Sequence, residues 1–159
     1  MSAPLDATDL RILAQLQQDA ALTNQELALR VHVSPATCLR RVQRLTDAGI
    51  IERRVAILSP EKLGHGLTAI VELTLDEQAS ERLDAFEARA VADAAVQQCY
   101  RVASGPDFVL ILQVADMSAY QQAANRLFAA DANVRNVRSF FSVARAKFSP
   151  HICLPAGGL

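Results

Sequence analysis

The chain has 159 residues, of which 51% are hydrophobic, and its formal net charge at pH 7 is −1. These values allow one ordinary domain or two small ones and exclude wholesale disorder. A near-neutral chain is also unlike a protein that coats nucleic acid regardless of sequence. No apolar run approaches the roughly 20 residues that a membrane-spanning helix requires.

The cysteines and the first residues indicate the compartment. Cys38, Cys99 and Cys153 are too widely spaced to form a metal-ligand pair, and three cysteines do not make an even-numbered disulfide framework. The opening segment MSAPLDATDL lacks the basic and apolar regions of a signal peptide. We therefore expect a reduced, cytoplasmic protein without a metal or other cofactor.

Three helices are predicted in the first third of the chain. The first covers residues 5–18, with Asp6 as N-cap and Asp9 in the first turn. The second begins at Thr23, which has the spacing of a capping box with Glu26. The third runs from the N-cap Ser34 and the first helical residue Pro35 to Gly49. Its predicted buried stripe consists of Cys38, Leu39, Val42 and Leu45.

The other side of the third helix carries hydroxyl, small and arginine residues. Arginine can pair with guanine through two hydrogen bonds or neutralise phosphate, and small residues let a helix approach base edges. Arginines alone would fit a solvated helix face equally well, but the short capped helix and turn before them favour a helix-turn-helix. The predicted DNA-binding residues are Ser34, Pro35, Thr37, Arg40, Arg41 and Arg44.

The charge distribution supports a site-directed DNA-binding protein. Between Arg30 and Arg54, six arginines stand against Asp47 and Glu52, which gives a local balance of +4. Residues 50–58 are rich in β-branched residues and predict a strand or short wing. The arginines of this segment either touch the DNA backbone or face solvent.

The pattern changes after residues 59–66, a proline- and glycine-containing linker between a DNA-binding domain (residues 1–58) and a second domain (residues 67–159). The order βαββαβ in the second domain predicts a ferredoxin-like sandwich. We therefore predict an α+β chain in which a winged helix-turn-helix precedes this sandwich. The predicted strands cover residues 67–75, 96–103, 107–115 and 137–147, and the predicted helices cover residues 80–91 and 117–130.

The uncovered face of that sheet is predicted to be apolar. Both helices cover one face, yet residues 107–115 are almost continuously apolar, and adjacent Phe140 and Phe141 must point to opposite sides. We therefore predict a homodimer formed through the second domain. Two subunits would also supply two recognition helices for a pseudo-palindromic site.

These segments together resemble the Lrp/AsnC family of prokaryotic transcription regulators over essentially the whole chain. The residues that carry the resemblance are LDATDLRIL, NQELALRVHVSPATCLRRVQRL followed by AGII, EKLG, CYRV at Cys99, DF at Asp107 and DMSAY at Asp116. The resemblance implies an N-terminal DNA-binding domain and a C-terminal βαββαβ effector domain. It also implies dimers that often assemble into octamers, with amino-acid effectors bound between dimers.

The resemblance also places the effector loop between the second and third strands. The family pattern Gly-x-x-Asp-Tyr becomes Ser104-Gly105-Pro106-Asp107-Phe108, and the Thr-x-Thr of the last strand becomes Val137-Arg138-Ser139. His32 and Arg54 stand where the family has glycine and tyrosine. From the residues alone, Asp107 either holds the amino group of a ligand or caps a turn. By resemblance, the effector-binding residues are Ser104, Gly105, Pro106, Asp107, Phe108 and Ser139.

Two alternative functions differ in their chemistry. An architectural DNA-binding protein without an effector would differ from the regulator only in this loop. Sirohaem decarboxylases share the two-domain plan, but His32, His65 and His151 are scattered and no acid/base pair is visible, so we do not expect an enzyme. The prediction is a sequence-specific transcriptional regulator modulated by an amino acid.

Overall fold

The computed structural model describes residues 5–155, which divide between two compact units. Within the described residues, one unit comprises residues 5–57 with 147–155, and the other comprises Leu58–Ala146. None of the helices in the described part of the chain is both long and apolar enough to cross a membrane. The first unit contains helices α1 (Ala7–Gln18), α2 (Asn24–Arg30) and α3 (Pro35–Asp47).

Each helix of the first unit begins where its capping residues predict. The Asp6 carboxylate accepts the amides of Thr8 and Asp9, and the Asp9 carboxylate accepts the amide of Asp6, which completes a reciprocal capping box on α1. Thr23 and Glu26 form the predicted capping box on α2. The Ser34 hydroxyl accepts the Thr37 amide at the start of α3. The three predicted helix starts are confirmed.

The core of the first unit forms from one face of each helix, but it does not include all of the predicted α3 stripe. Ile12, Cys38 and Leu45 are buried, whereas Leu39 is 59% exposed. The burial of Leu39 was wrongly predicted because α3 is rotated so that Arg41 also turns inward, toward α1. This rotation moves Leu39 to the opposite, solvent-facing side.

The turn between α2 and α3 requires a left-handed residue, and that residue is His32, with φ 58°. The amide of Val33 bonds back to the Ala28 carbonyl at 3.0 Å, which closes the end of α2. A side chain with a Cβ costs roughly 1–2 kcal/mol in this conformation, which glycine adopts freely. The turn therefore forms at a conformational cost.

We expect His32→Gly to raise the free energy of unfolding by about 0.5–1 kcal/mol, because removal of the Cβ relieves more strain than glycine adds to the entropy of the unfolded chain. Urea unfolding of the two proteins measures the difference. His32→Ala is the matched control, since it removes the imidazole but keeps the Cβ. Equal stability of the glycine and alanine variants would show that the backbone conformation is not the cause.

Residues 52–59 form no regular secondary structure, so the strand predicted over residues 50–58 is not formed within this chain. A strand needs a hydrogen-bonded neighbour, and no other segment of residues 5–155 pairs with this one. Its apolar residues Val55, Ile57 and Leu58 are consequently exposed. The β-branched pattern is present, but its partner strand is not.

The second unit is the predicted ferredoxin-like sandwich. Its four strands form one sheet in the order β2-β3-β1-β4, and all neighbouring strands are antiparallel. The sheet buries Val71, Phe86, Leu110 and Phe128 in a common core with its helices. A short 3₁₀ turn, Glu61–Leu63, precedes β1, and α5 continues as a π-helical turn, Asn125–Ala129. The elements are β1 (Leu67–Leu75), α4 (Ser80–Ala92), β2 (Val96–Arg101), β3 (Phe108–Val114), α5 (Met117–Ala124) and β4 (Val134–Phe141).

The last strand and the tail differ from the prediction. β4 begins at Val134 and ends at Phe141, not at residue 147. The tail then belongs to the first unit, because the Gln17 side chain accepts the amide of Ile152 at 2.7 Å and donates to its carbonyl at 3.1 Å. Leu154 also packs on the core of the first unit. The second compact unit therefore ends at Ala146.

The sheet has one covered face and one open face. On β4, Phe141 points to the helix side and contacts the Tyr120 ring edge-on at 4.9 Å, while Phe140 is paired with Ile70 on the open side. Ile70 also pairs with Ile111 of β3. Tyr100 adds a 53% exposed ring to the open face. The predicted opposite orientation of the two phenylalanines is confirmed.

Candidate DNA interface and effector loop

The outer face of α3 is a row of exposed residues opposite the buried stripe. Ala36, Arg40, Gln43 and Asp47 recur at spacings of four, three and four residues, and all four are exposed. Arg40 has no ion pair or hydrogen bond to any described residue. The Gln43 amide donates to the Asp47 carboxylate at 2.8 Å. This row can enter a groove without breaking any contact that holds the fold.

Arg41 and Arg44 instead hold α3 to α1. The Asp9 carboxylate is 0% exposed and accepts Arg41 at 2.9 Å and Arg44 at 2.5 Å. Arg41 also reaches Asp6 at 2.7 Å. The two arginine side chains are 25% and 45% exposed, respectively. The sequence pattern predicted both as DNA contacts, whereas the structure engages both in an internal ion-pair cluster.

The electrostatics of this cluster follow from its hydrogen bonds. The backbone amide of Asp9, followed by the Arg41 guanidinium, lowers the pKa of Asp6 to about 2. The hydrogen bond to Asp6 is the largest cause that raises the pKa of Arg41. Asp6 and Asp9 lie outside the window that gave a local charge of +4, and their two negative charges offset those of Arg41 and Arg44. The positive charge that remains without a described partner is concentrated on Arg40, Arg53 and Arg54.

The other predicted DNA-binding residues lie at the N-terminus of α3. Ser34 and Pro35 are exposed, and the hydroxyls of Ser34 and Thr37 are bonded to each other at 2.9 Å. The Asn24 side chain donates to the Pro35 carbonyl at 2.9 Å and so fixes α2 against this end of α3. The sequence analysis did not single out Gln43, which is exposed on the same row as Arg40. It stands three positions after Arg40, a signal that helical spacing alone could have supplied.

The predicted effector loop joins β2 to β3 and is closed by a hydrogen bond from the Val102 amide to the Asp107 carbonyl at 3.0 Å. Gly105 is left-handed, with φ 87°, and permits the tight turn. The Asp107 amide donates to the Leu73 carbonyl at 2.8 Å, and Oδ2 of Asp107 accepts the Leu75 amide at 2.7 Å. Oδ2 therefore satisfies the amide of the last residue of β1, while Oδ1 has no bonded partner among residues 5–155.

Two residues of the predicted effector set lie elsewhere. The Phe108 ring is 0% exposed and packs against the Phe86 ring at 4.8 Å, so it faces the core. The Ser139 hydroxyl is bonded to the Tyr120 hydroxyl on the helix side of the sheet. Moreover, β3 and β4 flank opposite sides of β1. Ser104, Gly105, Pro106 and Asp107 remain together in the loop, but one chain does not bring Ser139 to them.

The histidines, cysteines and carboxylates of residues 5–155 are the side chains that a metal site would group together. Among residues 5–155, no group of three or more histidine, cysteine, aspartate or glutamate side chains is placed to hold a metal ion. His32, His65 and His151 are exposed and lie on separate segments: the turn before α3, the approach to β1, and the tail. The cysteines in the structure are free thiols.

Comparison with family models matches both units. Residues 5–52 match a winged helix-turn-helix DNA-binding domain, and residues 68–152 match an Lrp/AsnC ligand-binding domain. The second match alone covers more than half of the chain. The order of the two domains agrees with the order of the two sites described above.

Individual relatives extend over nearly the whole chain. The leucine-responsive regulatory protein of Rhizobium meliloti is 36% identical over 90% of this chain and 92% of its own length. An AsnC family transcriptional regulator from Agrobacterium tumefaciens has a similar structure, with a TM-score of 0.88 and 31% identity over 94% of this chain and 97% of that one. A transcriptional regulator from Neisseria meningitidis, solved in complex with L-methionine, is also similar in structure, with a TM-score of 0.83. The two sequences are 32% identical over 94% of this chain and 96% of that one.

Proposed function

Since the chain belongs to the Lrp/AsnC family, and is thus a DNA-binding transcriptional regulator with a ligand-binding domain, we propose that an amino acid modulates its binding to a defined operator. The observation that supports this most directly is the exposed row on α3, whose Arg40 has no internal partner. We also propose that the protein acts in the cytoplasm of a prokaryotic cell, because a transcriptional regulator must reach the chromosome.

Within the proposed DNA interface, the residues divide by role. Arg40 reads bases, because its guanidinium is exposed and its neighbours Ala36 and Thr37 are small. Ser34, Pro35 and Thr37 lie at the capped helix N-terminus, where partial positive charge favours phosphate. Arg41 and Arg44 set the orientation of α3 through Asp9 and present only their exposed edges to DNA.

We expect Arg40→Ala to weaken specific operator binding by about 1–3 kcal/mol, the range for a lost bidentate contact to guanine. The stability of the protein should not change, because Arg40 is exposed and makes no ion pair or hydrogen bond with described residues. Fluorescence anisotropy with an operator duplex and a thermal melt measure the two quantities. Arg135→Ala, which removes a 69% exposed arginine from β4, is the control. Unchanged affinity of the Arg40 variant would remove this face from the interface.

The proposal of an effector site rests on the Asp107 carboxylate, in which Oδ2 is bonded to the Leu75 amide and Oδ1 has no described partner. Its Oδ1 can accept the ammonium group of an amino acid, while the exposed turn at Ser104 and Gly105 leaves room for the ligand. The relative from Neisseria meningitidis was solved with L-methionine, which makes methionine one of the first amino acids to test. The effector of this chain binds between dimers in the proposed assembly.

We expect Asp107→Asn to abolish stabilisation by the effector while the fold persists, because asparagine keeps an acceptor for the Leu75 amide but loses the charge. Thermal melts with each of the twenty amino acids identify the effector, since a ligand at 100 times its Kd stabilises by about 2.7 kcal/mol. Asp116→Asn, which alters the exposed N-cap of α5, is the control. A full response of the Asp107 variant would place the site elsewhere. No response of the wild type to any amino acid, with DNA still bound, would favour an architectural protein.

The open sheet face supports a homodimer. Ile70, Ile111 and Phe140 form a contiguous apolar surface that no element of the second unit covers. A second copy placed on this face would bury it, and a two-fold axis would supply two α3 helices to one operator. We propose that such dimers assemble further into an even-numbered oligomer, an octamer by family resemblance.

A further inference from the structure

The outer row of α3 contains two side chains that can each bond a single base through two atoms. Arg40 can pair with O6 and N7 of guanine, and Gln43 can pair with N6 and N7 of adenine. Both are exposed, and they lie on the face opposite the buried Cys38 and Leu45. The remaining arginines of α3, Arg41 and Arg44, are bonded to Asp9.

The Gln43 amide has a defined orientation, which an exposed glutamine normally lacks. An ionised carboxylate can only accept hydrogen bonds, so the atom that faces Asp47 at 2.8 Å must be the amide nitrogen Nε2. The carbonyl oxygen Oε1 then points away from Asp47. Nε2 carries a second hydrogen that this bond leaves available. The outward edge of the amide therefore offers one acceptor and one donor side by side.

That pairing of acceptor and donor is complementary to adenine, whose major-groove edge offers the N6 amino donor beside the N7 acceptor. We propose that Gln43 is a base-reading residue that selects adenine and that Asp47 is the positioning residue that holds its amide in the required orientation. This inference rests on the proposed operator binding by α3, and it adds the base that a second position of the helix recognises.

The spacing of the row also restricts where the two bases lie. Arg40 and Gln43 are three residues apart, which corresponds to a rise of about 4.5 Å along a helix. Successive base pairs are separated by about 3.4 Å. The guanine read by Arg40 and the adenine read by Gln43 should therefore lie one or two base-pair steps apart in each half-site.

The test is selection of bound duplexes from a randomised pool by the full-length protein, followed by affinity measurements on single-base variants of the selected site. For the wild type we expect a guanine and an adenine at this separation. In Gln43→Ala the preference for adenine should fall by roughly tenfold or more, while the guanine preference persists. Gln18→Ala, which truncates an exposed glutamine at the end of α1, should leave both preferences unchanged.

Asp47→Ala separates positioning from a merely structural role. Loss of this carboxylate removes repulsion from the phosphates, so total affinity should stay the same or rise, while the preference for adenine falls. An Asp47→Ala protein that keeps the full adenine preference would overturn the positioning role. Retention of that preference in Gln43→Ala would overturn the base-reading role while leaving the operator proposal intact. Failure of the wild type to select any sequence would overturn both.

Discussion

Ile111→Glu is expected to convert the protein into a monomer and to weaken operator binding by roughly a hundredfold or more. Ile111 lies at the middle of the open sheet face, opposite Ile70, so a carboxylate there would be buried without a partner in the proposed dimer. A monomer presents one α3 helix instead of two, and linked binding modules gain about 10²–10⁴ in affinity over single ones. Light scattering reports the mass, and anisotropy reports the affinity.

The second unit offers a matched control for this variant. Val91 is 66% exposed on α4, on the helix side of the same sheet. Val91→Glu introduces the same charge on the same unit but away from the open face, so mass and affinity should stay at wild-type values. If Ile111→Glu keeps the wild-type mass, the subunits must associate through another surface.

The double variant Arg41→Ala/Arg44→Ala is expected to lower the free energy of unfolding by about 3–5 kcal/mol, because it leaves the Asp9 carboxylate buried without either of its cationic partners. Each arginine alone should cost less, since the other still neutralises Asp9. Urea unfolding of the single and double variants, arranged as a mutant cycle with Asp9→Ala, measures the coupling. Arg40→Ala serves as the control, being an arginine of the same helix without an internal partner.

The outcome of that cycle decides how DNA-binding defects in this region should be interpreted. If the double variant is as stable as Arg40→Ala, the cluster does not hold α3 to α1, and its arginines become available for DNA contacts. If the expected loss of stability is seen, weaker DNA binding by an Arg44 variant reflects a displaced helix and not a lost contact to a base.

Features that depend on neighbouring residues were predictable from the sequence. The predicted helix starts are the Asp6 N-cap, the Thr23–Glu26 capping box and Ser34-Pro35. Each involves residues within four positions, and all three are confirmed. The βαββαβ order followed from alternating patterns long enough to identify each element. Among the predicted effector-binding residues, those from Ser104 to Asp107 lie together in one turn, because they are contiguous in the sequence.

Features that depend on distant partners were not predictable. Arg41 and Arg44 are 32 and 35 residues from Asp9, and no local pattern distinguishes an arginine directed at a carboxylate from one directed at DNA. The prediction that Leu39 is buried was wrong for the same reason, because the ion pairs to Asp9 determine the rotation of α3. A pairing partner for residues 52–59 cannot be recognised from the β-branched pattern of one strand. Phe108 was assigned by its place in a family pattern, whereas its direction depends on the alternation of β3.

The return of the tail to the first unit makes the second unit an insertion within a discontinuous domain. Within the insertion, the start of β1 lies beside the end of β4, since the Ser142 amide donates to the Thr68 carbonyl at 3.0 Å. Closing a disordered loop costs entropy that rises with its length. When the insertion is folded, the first unit does not have to close a disordered loop of roughly 90 residues. We therefore expect a folded ligand-binding unit to favour the contacts of Ile152 and Leu154 with the first unit. A fragment ending at the linker would lack these contacts altogether.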